Sequence, residues 1–319
     1  MPDANAVIER GIVKLIRPES SAHWYTHPNT TTGEKSKPMH KVTGANGNER
    51  PTTLRDARKL NLLPSVTSVL GIIAKPQLES WKQEQAILAA LTLPRNAGEE
   101  LDAFAKRVVE DMNAQVGAAC EFGTRIHAAI ESANAERFNG APAGAVDREL
   151  LPWINEYLRW SLCNLGSIID AESIVTHGGY AGRFDLMARH TVHGEVLIDF
   201  KTQNCKEGKA NFYDAWAWQL AAYRFAMNSN ARCLSVVIDS NSPAQPQEKL
   251  WSEDEIKTGW CIFRAALEIW QQQRGYVPNP ISISATIIED FGKLTVASGA
   301  GRLLAGLESL KTKKAEVSQ

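Results

Sequence analysis

The sequence predicts an α/β protein in which helices flank a mixed sheet. Helical patterns dominate the first half of the chain, over residues 98–137 and 150–165. After Gly166 the pattern changes to short apolar runs separated by glycine-containing turns, which is typical of strands. From residue 117 the predicted order is helix, three strands, helix, strand. This order favours a mixed sheet with helices on its faces.

The individual elements follow from local signals. The predicted strands are 172–177, 180–189, 195–201 and 233–239, and the helix between the last two is 211–228. The third strand is apolar until Asp199, as expected of a buried strand. A capping box at Ser252-Glu253-Asp254-Glu255 predicts a further helix, which extends to about Arg274.

Composition divides the chain into four regions. Residues 1–61 are rich in loop-forming residues, with room for a short hairpin. Residues 62–165 form a helical region that leads into the core, and the core itself covers 117–240. The helical region begins with a short helix, capped by Ser65 or Thr67, and continues with a second helix at 76–90. Residues 140–144 interrupt the region. Residues 252–319 supply C-terminal helices and a frayed tail.

Charge and cysteine content limit the class of protein. Lys and Arg number 35 against 36 Asp and Glu, so no overall basic field indicates a nucleic-acid partner. The five cysteines are widely spaced, which argues against a disulfide scaffold or a zinc site. Residues 1–10 lack a signal-peptide core, and no apolar run approaches the ~18 residues of a membrane span. We expect a cytoplasmic protein without a membrane partner.

The strongest chemical signal is Ile198-Asp199-Phe200-Lys201-Thr202. Side chains alternate along a strand, so Asp199 and Lys201 share one face and Phe200 takes the other. A carboxylate at the end of an apolar strand is accounted for by a hard cation, and the lysine could then orient water or stabilise phosphate charge. An ordinary ion pair at a strand end is an equal alternative for this motif alone.

A second acidic residue stands in Gly179-Tyr180-Ala181-Gly182-Arg183-Phe184-Asp185. If the second and third strands form an antiparallel hairpin, Asp185 lies beside Asp199. Two adjacent carboxylates repel each other, and a shared cation relieves the repulsion. A surface-facing aspartate is the alternative.

Two helical pairs complete the set of candidate residues. His127 and Glu131 are four residues apart and share one helical face, as do Gln219 and Tyr223. A structural histidine and a packed amphipathic helix are the simpler interpretations of each pair taken alone.

Together these motifs resemble those of the RecB-type branch of the PD-(D/E)xK nucleases. The ordered set is GxxxH at 123–127, GxxD at 182–185, DxK at 199–201 and QxxxY at 219–223. This branch includes phage exonucleases and the mitochondrial genome maintenance exonuclease, and the segment from Pro64 to Leu70 resembles its phage-type members. The resemblance covers about half of the chain. It implies a restriction-endonuclease-like core with a helical N-terminal elaboration.

The resemblance also implies a role for each residue. Asp185, Asp199 and His127 would bind Mg²⁺ or Mn²⁺, with the backbone carbonyl of Phe200 completing the shell. Lys201 would be the catalytic lysine, and Glu131 is a further candidate ligand. The residues expected to contact DNA are Gln219, Tyr223, Arg125, Arg183 and Thr202. Relatives with an iron–sulfur cluster hold it through four clustered cysteines, so no cluster is expected here.

The implied activity is metal-dependent hydrolysis of DNA, by an exonuclease of recombination, repair or phage replication. The expected partner is a single- or double-stranded DNA end, and a recombination or single-strand-binding protein is a second possible partner, in a bacterial or phage-infected cell. Alternatives are a structure-specific flap endonuclease and a catalytically silent DNA-binding protein on the same fold. An unrelated α/β protein with chance motifs is the remaining alternative.

Overall fold

The computed structural model of the chain describes residues 24–29, 32–44, 46–139 and 146–279. Apart from Asn279, these residues belong to one compact unit, Met1–Pro278. The expected interruption at 140–144, the frayed tail and any helix beyond 279 lie outside the described residues. No helix of the described part is both long and apolar enough to cross a bilayer.

The described residues form seven α-helices. They are α1 (Leu54–Leu60), α2 (Val66–Leu70), α3 (Pro76–Thr92), α4 (Leu101–Asn139), α5 (Leu151–Asn164), α6 (Asp214–Ala226) and α7 (Glu253–Arg274). The strands are β1 (Trp24–Tyr25), β2 (Lys41–Thr43), β3 (Glu49–Pro51), β4 (Leu63–Pro64), β5 (Leu165–Ala171), β6 (Ile174–His177), β7 (Tyr180–Arg183), β8 (Leu186–His190), β9 (Gly194–Gln203), β10 (Arg232–Asp239) and β11 (Gln247–Leu250).

The largest sheet is mixed, as predicted, and has the order β11-β10-β9-β8-β5. β10 runs parallel to β9, whereas the other three pairings are antiparallel. β6 and β7 form a separate two-stranded sheet, as do β1 with β4 and β2 with β3. The central position of β9 buries the strand that carries the DxK motif.

The two faces of β9 belong to different halves of the core. Leu197 packs into a cluster with side chains of α6 and α7, whereas Ile198 and Phe200 pack into a second cluster with α4 and α5. The ring of Phe200 meets the ring of Tyr157 edge to face, at a centroid separation of 5.6 Å. The alternation predicted from the sequence therefore holds, and Asp199 and Lys201 share the face towards α6.

Two sequence predictions about the strands are wrong. The run 180–189 is not one strand, because the chain leaves the small sheet after Arg183 and enters the large sheet at Leu186. The run 172–177 becomes a strand only from Ile174 and pairs with β7, outside the large sheet. The chain between α5 and α6 thus holds five strands, and β5, which was not predicted, joins β8 and β9 in the large sheet.

Other local predictions are confirmed. Ser65 caps α2 by accepting a hydrogen bond from the Ser68 amide at 3.0 Å. The Ser252 hydroxyl accepts from the Glu255 amide at 3.2 Å, and Glu255 accepts from the Ser252 amide at 2.8 Å. The capping box therefore starts α7 where the sequence placed it, because such bonds satisfy the free amides of a first helical turn. A short hairpin, β2–β3, lies in the loop-rich N-terminal region.

Candidate active site

The candidate site is centred on Asp199 and Lys201, at the carboxyl end of β9. Asp199 is only 2% exposed. The Lys201 ammonium donates a hydrogen bond to Asp199 Oδ1 at 2.7 Å and lies 2.6 Å from Oδ2. It makes no well-directed hydrogen bond to Oδ2, and within the described part of the chain this buried oxygen has no hydrogen-bond partner. The ammonium therefore occupies the position at the carboxylate oxygens that a bound metal ion would take.

Asp185 lies in the break between β7 and β8, not within a strand as predicted. Leu186 pairs with Ile198, so the preceding residue, Asp185, comes alongside Asp199. Its Oδ2 accepts a hydrogen bond from the Phe200 amide at 2.7 Å, which fixes the carboxylate beside β9. The predicted proximity of the two aspartates thus follows from the β8–β9 pairing.

His127 reaches the site from α4. Its Nδ1 lies 3.7 Å from Asp185 Oδ2, and its side chain is 32% exposed. Gly123, one turn earlier, lets α4 approach the end of β9, because a Cβ at this position would lie 2.9 Å from the Thr202 hydroxyl oxygen. The GxxxH spacing therefore combines a close helix–strand approach with an imidazole directed at the acidic site.

Gln219 and Tyr223 form the wall of the site on α6. Gln219 Nε2 donates to Asp199 Oδ1 at 3.2 Å and to the Tyr223 hydroxyl at 3.0 Å. The Lys201 ammonium donates to Gln219 Oε1 at 3.4 Å. Gln219 therefore contacts both members of the DxK motif, and Tyr223, only 3% exposed, fixes the amide.

The charges within the site perturb Asp199 strongly. Burial, together with the negative charge of Asp185, raises its pKa to about 6, although the charges of Lys201 and His127 act in the opposite direction. A buried carboxylate that keeps its charge requires nearby positive charge. In this structure the Lys201 ammonium supplies that positive charge for Asp199.

Glu172 is a site residue that the sequence analysis missed. It follows β5 in a left-handed conformation with φ of 51°, and its amide donates to the backbone oxygen of Asp185 at 3.0 Å. Burial, and next the charge of Asp185, raise the pKa of Glu172 to about 7, while Arg183 opposes this shift. Little in the sequence signals this role, because the pattern predicts Glu172 as the first residue of a strand, whereas the structure places it in the turn that brings it to Asp185.

Two predicted arginines and Glu131 have other neighbours. Arg183 pairs with Glu172, with Nε 3.0 Å from Oε2. Arg125 pairs with Asp147 and with Glu149, the latter at 3.1 Å. Glu131 is exposed and close enough to Glu172 to raise its pKa. The roles of both arginines, of Thr202 and of the Phe200 carbonyl towards DNA or metal stay predictions.

A second group of potential metal ligands lies elsewhere. It consists of His190, His193 and Glu248, the one set among the described residues whose ligand atoms all lie within 4.8 Å of one another. The ligand atoms of Asp185, Asp199 and His127 are therefore spaced more widely than those of this second group. His190 Nδ1 accepts hydrogen bonds from the amides of Val192 at 3.1 Å and His193 at 3.3 Å. These donors place the proton on Nε2, which then has no lone pair for a metal. We interpret His190 as a buried cap of the β8–β9 turn.

This role of His190 predicts a pH-dependent stability. Burial lowers the pKa of His190, the charge of His193 adds to the effect, and Glu248 opposes it. An unfolded histidine titrates near ~6.5, so as the pH falls below that value the unfolded chain takes up the proton first and the fold loses stability. In His190→Asn the amide oxygen can accept the same two hydrogen bonds without titrating.

Urea unfolding at pH 8 and pH 5 measures this effect. Relative to the wild type, His190→Asn is expected to lose less free energy of unfolding between the two pH values. His40→Asn, which replaces an exposed histidine, should retain the wild-type pH dependence. An identical loss in wild type and His190→Asn would contradict the assignment.

Comparisons with known proteins do not extend this description. No protein-family model matches the chain, and no curated protein matches it. The crystal structure of SSO0001 is similar over 61% of this chain and 87% of its own, with 13% identity and a TM-score of 0.28. An alkaline exonuclease (LHK-Exo) from Laribacter hongkongensis is similar over 62% of this chain and 98% of its own, with 14% identity and a TM-score of 0.23. Likenesses with such TM-scores do not bear on fold or activity.

The fold and the site together define the class of protein. The protein is a mixed α/β chain in which one buried strand carries an aspartate and a lysine in its C-terminal half. A second aspartate, an imidazole and a glutamine surround them.

Proposed function

We propose that this chain is a metal-dependent nuclease with a PD-(D/E)xK-type core, and more specifically a DNA exonuclease. The observation that carries the proposal is the convergence of Asp185, Asp199, His127 and Lys201 at the end of β9. The element order supports it: α4 precedes β5, β8 and β9, and α6 leads to β10 parallel to β9.

The donor set fits a hard divalent cation. Asp199 offers a buried oxygen that accepts no hydrogen bond from the described residues, Asp185 offers Oδ1 beside its bonded Oδ2, and His127 offers an imidazole nitrogen. Carboxylate oxygens suit Mg²⁺ and Mn²⁺, and an imidazole suits Mn²⁺ better than Mg²⁺. The Phe200 carbonyl and Glu131 are further proposed ligands. A bound Mg²⁺ or Mn²⁺ would supply Lewis-acid stabilisation of phosphate charge and a more acidic water.

Lys201 is the proposed catalytic residue of the chain itself. Its ammonium, held between Asp199 and Gln219, can donate a hydrogen bond to a water or to a phosphate oxygen that enters the site. Gln219 holds the ammonium in this position by accepting its hydrogen bond, and the Tyr223 hydroxyl holds Gln219 by accepting a hydrogen bond from its amide. In this arrangement the positive charge is oriented before the substrate binds, which lowers the cost of reorganisation during reaction.

DNA as the substrate and exonuclease action come from the motif resemblance. Arg125, Arg183, Thr202, Gln219 and Tyr223 are the proposed contacts with the strand. Arg183 borders the site through its ion pair with Glu172, and an incoming phosphate would compete with that carboxylate for the guanidinium.

One assay tests this proposal. End-labelled single- and double-stranded DNA, linear and closed circular, is incubated with wild type and variants in Mg²⁺, Mn²⁺ or EDTA. We expect cleavage of linear DNA that requires the metal and falls by about 10²-fold or more in Lys201→Ala. Lys257→Ala, which removes an exposed lysine of α7, should retain full activity.

The outcomes separate the alternatives. Cleavage of closed circles would contradict exonuclease action and favour an endonuclease. DNA binding without cleavage in any metal would favour a silent binding protein. Metal-independent cleavage, or full activity in Lys201→Ala, would overturn the proposed mechanism.

A further inference from the structure

The segment between β9 and α6 is attached beside the end of the candidate site. Asp199, Lys201 and Gln203 lie on one face of β9, because each is two residues from the next along the strand. The Gln203 side chain accepts a hydrogen bond from the Asn211 backbone amide at 2.7 Å and donates one to the Asn211 backbone oxygen at 3.2 Å. Asn211 is therefore fixed beside Gln203, and Tyr213 follows it at the start of α6.

A second connection to the site runs along α6. Trp216 and Gln219 are three residues apart, so they are neighbours on one face of the helix. Gln219 contacts both Asp199 and Lys201. Tyr213 precedes Gln219 by about 9 Å along the helix axis, from the rise of an α-helix, and a few nucleotides of a strand cover that length. The two connections place Tyr213 and Trp216 at the border of the candidate site.

Tyr213 carries an aromatic ring outside the core. This half-buried ring meets that of Trp216 edge to face, at a centroid separation of 5.1 Å and an angle of 83°. Trp216 packs against the core cluster that contains Leu220, whereas Tyr213 belongs to none of the core clusters of the described residues. The Tyr213 hydroxyl makes no hydrogen bond within the described ranges and is not among their buried atoms without a partner, so solvent reaches it.

Such a ring is suited to stacking on a nucleobase. Base–aromatic stacking needs a ring that is held in place and still accessible, and it accepts any base because every base has a π-face. Trp216 holds the ring by the edge-to-face contact. The hydrogen bonds of Gln203 hold the backbone that precedes it, so little conformational freedom is lost when a base binds.

We infer that Tyr213 stacks on an unpaired base of the nucleic-acid strand whose phosphodiester lies against Lys201. This inference rests on the proposed function, because it takes the substrate strand as the ligand. Bases within a duplex already stack on one another, so the ring favours a single-stranded end. Tyr213 is thus a substrate-binding residue outside the motifs of the core.

The test uses the full-length protein and single-stranded oligonucleotides that carry the fluorescent base 2-aminopurine at successive positions from either end. The fluorescence of this base is quenched when it stacks on an aromatic ring. Binding is measured in Ca²⁺ over a series of NaCl concentrations, and cleavage in Mg²⁺ gives kcat and KM. For the wild type we expect quenching on binding at one position of the strand.

Tyr213→Ala should abolish this quenching and weaken Kd about 5-fold or more, the effect of losing one stacked base. KM should rise with Kd, with a smaller change in kcat. The salt dependence of Kd should stay that of the wild type, because stacking releases no counterions. The change in Kd should be smaller on a blunt duplex than on the single strand. The Tyr213 side chain makes no capping hydrogen bond, so its removal leaves the start of α6 intact.

Two variants separate stacking from other roles of the side chain. Tyr213→Phe keeps the ring without the hydroxyl and should retain the wild-type quenching and Kd. Phe104→Ala removes a half-buried ring of α4, about 35 Å along the helix from His127, and should change neither. A Tyr213→Ala variant with the quenching and Kd of Phe104→Ala would overturn the inference. Failure of Tyr213→Phe to restore both, or an equal loss on the blunt duplex, would do the same.

Failure of the underlying function gives a different result. If the wild type neither binds nor cleaves the oligonucleotides, the proposed function and this inference fall together. If the wild type binds and cleaves while Tyr213→Ala behaves like Phe104→Ala, only the role of Tyr213 is wrong.

Discussion

Asp185→Asn is expected to reduce DNA cleavage by about 10³-fold or more while the protein stays folded. The asparagine side-chain oxygen can still accept the hydrogen bond from the Phe200 amide, which Asp185 accepts at 2.7 Å. The substitution removes, however, one of the two carboxylate charges that would face the cation. Most of the stabilisation of transition-state charge in such a site depends on that cation, so the rate should fall steeply.

The same substitution should not destabilise the metal-free protein. The charge of Asp185 raises the pKa of Asp199, which shows that the two carboxylates repel each other. Thermal unfolding in EDTA should therefore give an equal or higher Tm for Asp185→Asn than for the wild type. Asp254→Asn, at a surface position of α7 whose side chain is 94% exposed, should keep both activity and Tm. A folded Asp185→Asn protein with wild-type activity would contradict a metal role for Asp185.

Gly182→Ala is the substitution with the largest expected effect on stability. A Cβ at position 182 would lie 2.3 Å from Cε1 of Tyr223 and 3.2 Å from a methyl carbon of Val66. Both neighbours are buried, so neither can move into solvent. Overpacking in a core costs about 1–3 kcal/mol and occasionally more, and we expect a loss of at least about 3 kcal/mol here.

Catalysis should suffer in the same variant, since displacement of the Tyr223 ring disturbs the hydrogen bond that fixes Gln219. Urea unfolding and the cleavage assay measure the two effects. Gly166→Ala is the matched control, because Gly166 is also in a strand and a Cβ there would meet its nearest atom, the Arg189 carbonyl oxygen, at 3.7 Å. Equal stability of the two variants would show that the approach of β7 to α6 is looser than described.

Local signals in the sequence predicted much of the fold and of the site. The capping box at Ser252 is a short-range interaction, so the sequence alone locates the start of α7. The alternation at Asp199-Phe200-Lys201 determines which side chains share a face, whatever the sheet contains. The proximity of Asp185 and Asp199 required one assumption, the antiparallel hairpin, and β8 and β9 do pair in that way.

The features that were missed depend on contacts between distant parts of the chain. The break at Asp185 is set by the hydrogen bond to Phe200 and by the transfer of the chain from one sheet to another, while the apolar pattern continues through it. β5 is mostly exposed and pairs with register shifts, so its sequence has no clear period of two. Glu172 belongs to a turn, and only the packing of that turn places it beside Asp185.

The central claim is that Asp185, Asp199 and His127 hold one divalent cation beside Lys201. Titration of the DNA-free protein with Mn²⁺, followed by electron paramagnetic resonance of the free ion, tests it directly. The account predicts one bound Mn²⁺ per chain in the wild type, binding at least 10-fold weaker in Asp185→Asn and Asp199→Asn, and binding retained or tightened in Lys201→Ala, because the competing ammonium is removed. Wild-type Mn²⁺ affinity in both aspartate variants would contradict it.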